Sequence, residues 1–113
     1  MTGSSNTDVT VGADGFYTGS TIGCLNFKTK VVGGMLANSG SIGQTGSLSD
    51  SGMIYMAVSM DGTYWNYFYK SGSIISGSVP YIVTDEAQVS FIAPVLFNDS
   101  GSALSGSCWA RAF

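Results

Sequence analysis

Apolar residues in this chain recur at every second position rather than every third or fourth, in short runs separated by Gly, Ser, Asp and Asn. That period belongs to strands with one buried face. The stretch with the best helix-forming chemistry, Thr84-Asp85-Glu86-Ala87-Gln88, runs straight into β-type residues. Residues 21–32 alternate, with Leu25, Phe27 and Val31 on one face and Asn26, Lys28 and Lys30 on the other. Residues 53–60 set Ile54, Met56, Val58 and Met60 against Tyr55, Ala57 and Ser59. Asp61-Gly62, a hairpin dipeptide, then leads into 63–69. Further strands are expected at 79–84, 88–97 and 107–113, with one or two short ones in 7–18 around Asp14-Gly15. Pro80 and Pro94 lack a ladder donor and so mark an edge, a strand start or a bulge. About seven or eight short strands predict an all-β fold, an antiparallel β-sandwich or jelly roll. The expected layout is a single domain over residues 1–113, with 1–6 as a flexible N-terminal arm.

Three Ser/Gly segments share a form: 39–47, 71–78 and 100–107. They do not repeat a strand pattern at a fixed period, as a solenoid would. They read as long connections, each preceding a strand.

Charged residues make up only 10% of the chain, against about 25% in an ordinary soluble domain. Four basic residues, Lys28, Lys30, Lys70 and Arg111, face seven acidic ones, for a net charge of −3. Nucleic-acid binding therefore lacks its electrostatic footprint. No apolar run is long enough for a membrane helix, and spanning strands of an outer-membrane barrel would strain this length. The start, Met1-Thr2-Gly3-Ser4-Ser5, has neither the basic patch nor the apolar core of a secretory signal. So neutral an exterior favours association, and a homo-oligomer is expected.

The inventory for catalysis is thin: no His and a single Glu, Glu86. Ser-His-Asp and Cys-His mechanisms need an imidazole, and nothing pairs two carboxylates at a cleft. The chain is read as not an enzyme, without cofactors. Asp14-Gly15, Asp50-Ser51-Gly52, Asp61-Gly62 and Asp99-Ser100-Gly101 offer oxygen atoms but no calcium-ligand spacing, and they read as turns rather than a metal site. Cys24 and Cys108 could close most of the chain in a disulfide, or stand as two buried thiols; the missing signal favours thiols. Asn98-Asp99-Ser100 is formally a glycosylation sequon.

The densest feature is Tyr64-Trp65-Asn66-Tyr67-Phe68-Tyr69. Alternation sends Tyr64, Asn66 and Phe68 one way, and Trp65, Tyr67 and Tyr69 the other. One face is core; the other would offer aromatic rings with polar tips, suited to a sugar, a protein partner or a subunit interface. The candidate interface or ligand-binding residues are Tyr64, Trp65, Tyr67, Tyr69, Trp109 and Phe113.

Ser59-Met60-Asp61-Gly62-Thr63-Tyr64-Trp65 follows an apolar strand, and residues 53–69 resemble the S-x-D-G-T-x-W hairpin of small all-β phage virion proteins. That resemblance implies a non-enzymatic virion component, assembled in the host cytoplasm, commonly trimeric, that decorates or cements a capsid or belongs to a fibre or tail. Its partners would be copies of itself and neighbouring coat subunits. The same hairpin is similar to those of extracellular carbohydrate-binding modules, which gives a second expectation: a lectin-like protein using Trp65, Tyr67 and Tyr69 as a platform, with Asn66 and Asp61 accepting from sugar hydroxyls.

Overall fold

The computed structural model describes residues 2–37, 52–74, 81–86, 88–99, 101 and 103–113. Among them the strands are β1 (Thr2–Val11), β2 (Phe16–Thr18), β3 (Ile22–Gly23), β4 (Lys30–Ala37), β5 (Gly52–Ser59), β6 (Trp65–Ile74), β7 (Tyr81–Asp85), β8 (Phe91–Asn98) and β9 (Leu104–Ala112). One sheet runs β1-β9-β4-β7; the other runs β2-β8-β5-β6, with β3 also pairing β8. All pairings are antiparallel. With β2 and β3 counted as one interrupted strand, this order is that of a jelly roll. Successive strands cross between the sheets except at the β5–β6 hairpin, so every inward face meets a facing sheet.

The core lies between the sheets. Val32 and Leu36 of β4, with Cys108 and Ala110 of β9, meet Ile54 and Met56 of β5 and Ile92 and Leu96 of β8, all with no exposed surface. The alternation expected at 53–59 is thus borne out, whereas Met60, one residue beyond β5, is exposed. Both cysteines are buried free thiols, and burial pushes Cys108 up to about 12.

Four sequence expectations need correction. Residues 2–6 are not an arm: Thr2 to Asn6 pair with Ala112 to Cys108, in the first half of β1. Asn6 Oδ1 also accepts from Ser20 N (2.9 Å), tying the strand to the β2–β3 connection. Residues 21–32 are not one strand. Asn26 takes a φ of 76° and Phe27 N donates to Cys24 O (3.1 Å), which makes a turn between β3 and β4 and leaves Leu25 exposed.

Pro94 sits in β8, an interior strand, where edge, start or bulge was expected. Its carbonyl accepts from Gly19 N (2.8 Å) on the β2–β3 side. The N and O of one residue point to the same neighbouring strand in an antiparallel ladder. The missing N–H therefore falls where the partner strand breaks between Thr18, opposite Val95, and Ile22, opposite Ile92.

The fourth correction concerns the Ser/Gly segments. Residues 71–74 lie inside β6 and 104–107 inside β9; 39–47, 75–78, Pro80, Asp50, Ser100 and Ser102 lie outside the described residues. Gly72 and Gly106 are buried in these stretches, while their serines are not. A Cβ on Gly106 would come within 3.0 Å of Leu96 and 3.1 Å of Leu36, so a loop-like composition here records close approach of the two sheets.

Asn98 is fully buried at the end of β8. Its Nδ2 donates to Val11 O (3.0 Å) and Gly12 O (3.2 Å), and its backbone N donates to Gly15 O (3.0 Å). The sequon asparagine is a clamp on the β1–β2 turn.

Candidate functional site

The Ser59–Trp65 turn organises the aromatic hairpin. Asp61 Oδ1 accepts from the backbone N–H groups of Thr63 (2.8 Å) and Tyr64 (2.9 Å). Ser59 Oγ donates to Tyr64 O (2.7 Å) and accepts from Gly62 N (2.8 Å), while Gly62 supplies the positive φ of 80°. Trp65 Nε1 donates to Gly62 O (3.1 Å), which fixes the indole against the turn. The side chains of Ser59, Asp61 and Trp65 therefore serve the turn itself. Asn66 Oδ1 likewise accepts from Phe68 N (3.2 Å). Asp61 and Asn66, expected as acceptors for sugar hydroxyls, are engaged in the hairpin's own bonds.

The backbone bonds from Tyr64 and Thr63 hold the Asp61 carboxyl below the usual carboxylate range. A depressed folded pKa contributes stability above the unfolded value, about 3.9, and that contribution disappears as pH falls through the folded value. Wild-type protein should accordingly lose part of its stability under acid below pH ~4. Asp61→Asn keeps an acceptor oxygen but cannot titrate, so its denaturation midpoint should vary less over that range. Identical acid profiles for the two proteins would remove the assignment.

Alternation does not survive along β6. Val58 pairs with Asn66 and Met56 with Lys70, so Ala57 faces a bulge at 67–69. Phe68, expected beside Tyr64 and Asn66, instead packs on Tyr55 (ring centroids 4.9 Å, 76°) and Phe16 (5.6 Å). Tyr69, expected beside Trp65 and Tyr67, turns toward the other sheet, where its hydroxyl donates to Asp85 Oδ1 (3.4 Å) next to the Lys70–Asp85 ion pair (3.1 Å). Trp65 and Tyr67 do stay together, stacked at 6.0 Å and 24°. Tyr64 is exposed in the turn.

The remaining two candidates lie elsewhere. Trp109 is on the outer face of the other sheet, over Gly33, where its ring leaves no room for a Cβ. Arg111 covers that ring at 5.5 Å and donates to Ser4 O (2.7 Å) and Ser5 Oγ (3.2 Å). Trp109 is thus sandwiched within its own sheet rather than offered as an anchor. Phe113 is exposed, and its backbone pairs with Thr29.

What the structure assembles is a larger surface on the outer face of β2-β8-β5-β6. Phe16 stacks on Phe97 at 4.6 Å, and both join Tyr55 and Phe68 in one cluster. Trp65 and Tyr67 continue it toward Phe91. Ala57, Ala93 and Val95 form a buried floor of small residues between the rings. Beside the Trp65–Tyr67 stack this leaves a depression of about 330 Å³, bordered also by Thr18, Thr21 and Phe91. Phe16 and Phe68 remain 54% and 55% exposed. Among the described residues, none of the outward positions on β2, β3, β5 and β8, nor Trp65, Tyr67 or Phe68 of β6, carries a charge. The face can exclude water and stack on flat or apolar groups.

No protein-family model matches the sequence, and no curated protein matches it. Solved structures share its fold. PirA aligns with a TM-score of 0.58 at 14% identity, over 96% of this chain and 93% of that one. The Yersinia pseudotuberculosis-derived mitogen YPM aligns with a TM-score of 0.60 at 14% identity, over 99% of this chain and 86% of that one. At such identity the likeness establishes one thing, the all-β fold.

Proposed function

We propose that this chain is a non-enzymatic structural protein that acts by association, its aromatic sheet face closing against further copies of itself. The observation that carries the reading is the uncharged cluster of Phe16, Tyr55, Phe68 and Phe97 with the adjoining Trp65–Tyr67 stack. Large exposed apolar patches of this kind mark interaction surfaces. Because the described part of this face is neutral, two copies can meet there without like-charge repulsion despite a net charge of −3. Capsid decoration in a phage particle, as a homotrimer beside coat subunits, is the setting that the hairpin resemblance of residues 53–69 supports. Repetition around a symmetric shell would turn modest contacts into firm ones.

Native mass at low micromolar concentration tests this. A multiple of the 11.7 kDa protomer is expected. A monomer that persists into the hundreds of micromolar would overturn the self-association reading.

The Trp65–Tyr67 depression favours a second reading, a glycan-binding module stacking one sugar ring. In that case Trp65→Ala should abolish binding on a glycan array while leaving native mass unchanged. Loss of assembly by the same variant would instead support the first reading.

A further inference from the structure

The outer face of β2-β8-β5-β6 is uneven, and the unevenness runs along the strands. On β8 the outward side chains are Phe97, Val95, Ala93 and Phe91 in turn, falling from large to small and rising again. Phe97 belongs to a ridge with Phe16, Tyr55 and Phe68, on which Phe16 and Phe68 stand more than half exposed. Ala93, buried and paired with Ala57 of β5, lies in the hollow of about 330 Å³ beside the Trp65–Tyr67 stack. Four residues of β8 separate Phe97 from Ala93, roughly 13 Å of strand, so ridge and hollow lie side by side. The hollow is walled by Trp65, Tyr67 and Phe91, with the hydroxyls of Thr18 and Thr21 at its border. A benzyl side chain entering it meets ring faces and an alanine methyl, and strips water from no charge.

We propose that copies associate ridge into hollow, with Phe16 and Phe68 of one copy seated against Trp65, Tyr67 and Ala93 of the next. This rests on the self-association reading and adds which part of the face meets which. Two layers reach interior packing density when large side chains face small ones; ridge on ridge would hold the faces apart over two empty hollows. Because both features lie on one face, that face is self-complementary. A half-turn about an axis between them, lying across the strands, sets each ridge over the other copy's hollow. A three-fold ring would use the same contact once at each junction.

Two variants, each disabled on one side of the contact, test it. Phe68→Asp spoils the ridge and keeps the hollow. Thr18→Arg, at an exposed position on the hollow's border, obstructs the hollow and keeps the ridge. Each alone should associate roughly tenfold or more weakly than wild type. An equimolar mixture should associate roughly tenfold or more tightly than either alone, since the intact ridge of one variant meets the intact hollow of the other. In a pair, the two introduced charges, opposite in sign, face each other at the remaining contact. Native mass spectrometry reads the mixed species, because the variants differ in mass. Scanning calorimetry checks that each is folded, and Thr21→Arg takes the place of Thr18→Arg if that variant is not. Variants that assemble like wild type, or a mixture no tighter than its components, would overturn the ridge-into-hollow contact while wild-type assembly stands. A wild type that stays monomeric into the hundreds of micromolar would overturn it together with the reading it rests on.

Discussion

Phe68→Asp should weaken self-association by about a hundredfold or more while leaving the thermal midpoint of the protomer close to wild type. The ring is more than half exposed in the isolated chain, so the fold gains little from it. In an assembled state its burial would contribute about 1.5–3 kcal/mol, and each 1.4 kcal/mol is roughly tenfold in a dissociation constant. An aspartate there would also have to be desolvated against Tyr55 and Phe16 with no cation beside it. Sedimentation equilibrium of the two proteins, with differential scanning calorimetry as the check on folding, gives the comparison. A variant that assembles as tightly as wild type would move the interface off this face.

The second large effect falls on Asn98. Replacing it with leucine keeps the branched side-chain shape and removes the donor to Val11 O and Gly12 O. Val11 is almost fully buried whereas Gly12 can reach water, so one carbonyl bears most of the loss. A buried acceptor left without a donor costs about 1–3 kcal/mol, a large share of the roughly 5–15 kcal/mol that holds a domain of this size together. Asn98→Asp should be worse at neutral pH, since a carboxylate would face two carbonyl oxygens. Its folded pKa would be raised, so stability should recover as pH falls below that value, the reverse of the Asp61 dependence. Urea unfolding at two pH values measures both. A midpoint for Asn98→Leu within error of wild type would mean the clamp contributes nothing.

Fold class was readable from the sequence because β5 shows its two faces openly: Ile54, Met56 and Val58 inward, Tyr55 outward. The aromatic face was only half readable. Its rings come from positions 16, 55, 68 and 97, brought together by the sheet order β2-β8-β5-β6, and no local pattern encodes that order. Tyr55 did carry a usable signal, an aromatic on the polar side of an amphipathic strand. The bulge at 67–69 carried none: it sets three residues opposite Ala57, so alternation is lost within it and resumes in the same sense at Lys70, with no change in composition to mark it. Phe68 and Tyr69, both inside the bulge, therefore depart from simple alternation. Gly106 misled in the opposite sense: glycine signals a turn in most contexts, and here it makes room for the facing sheet.

Trp109, pinned between Gly33 and Arg111, gives the molecule a front and a back. The back presents a guanidinium over a ring already in use; the front presents open rings. If association runs through the front alone, as proposed, copies would complete a closed cluster rather than propagate a filament, because every copy that joins uses up the surface by which the next would attach. On that reading the chain could be made in excess without gelling, its assemblies stopping at a size set by geometry rather than by supply.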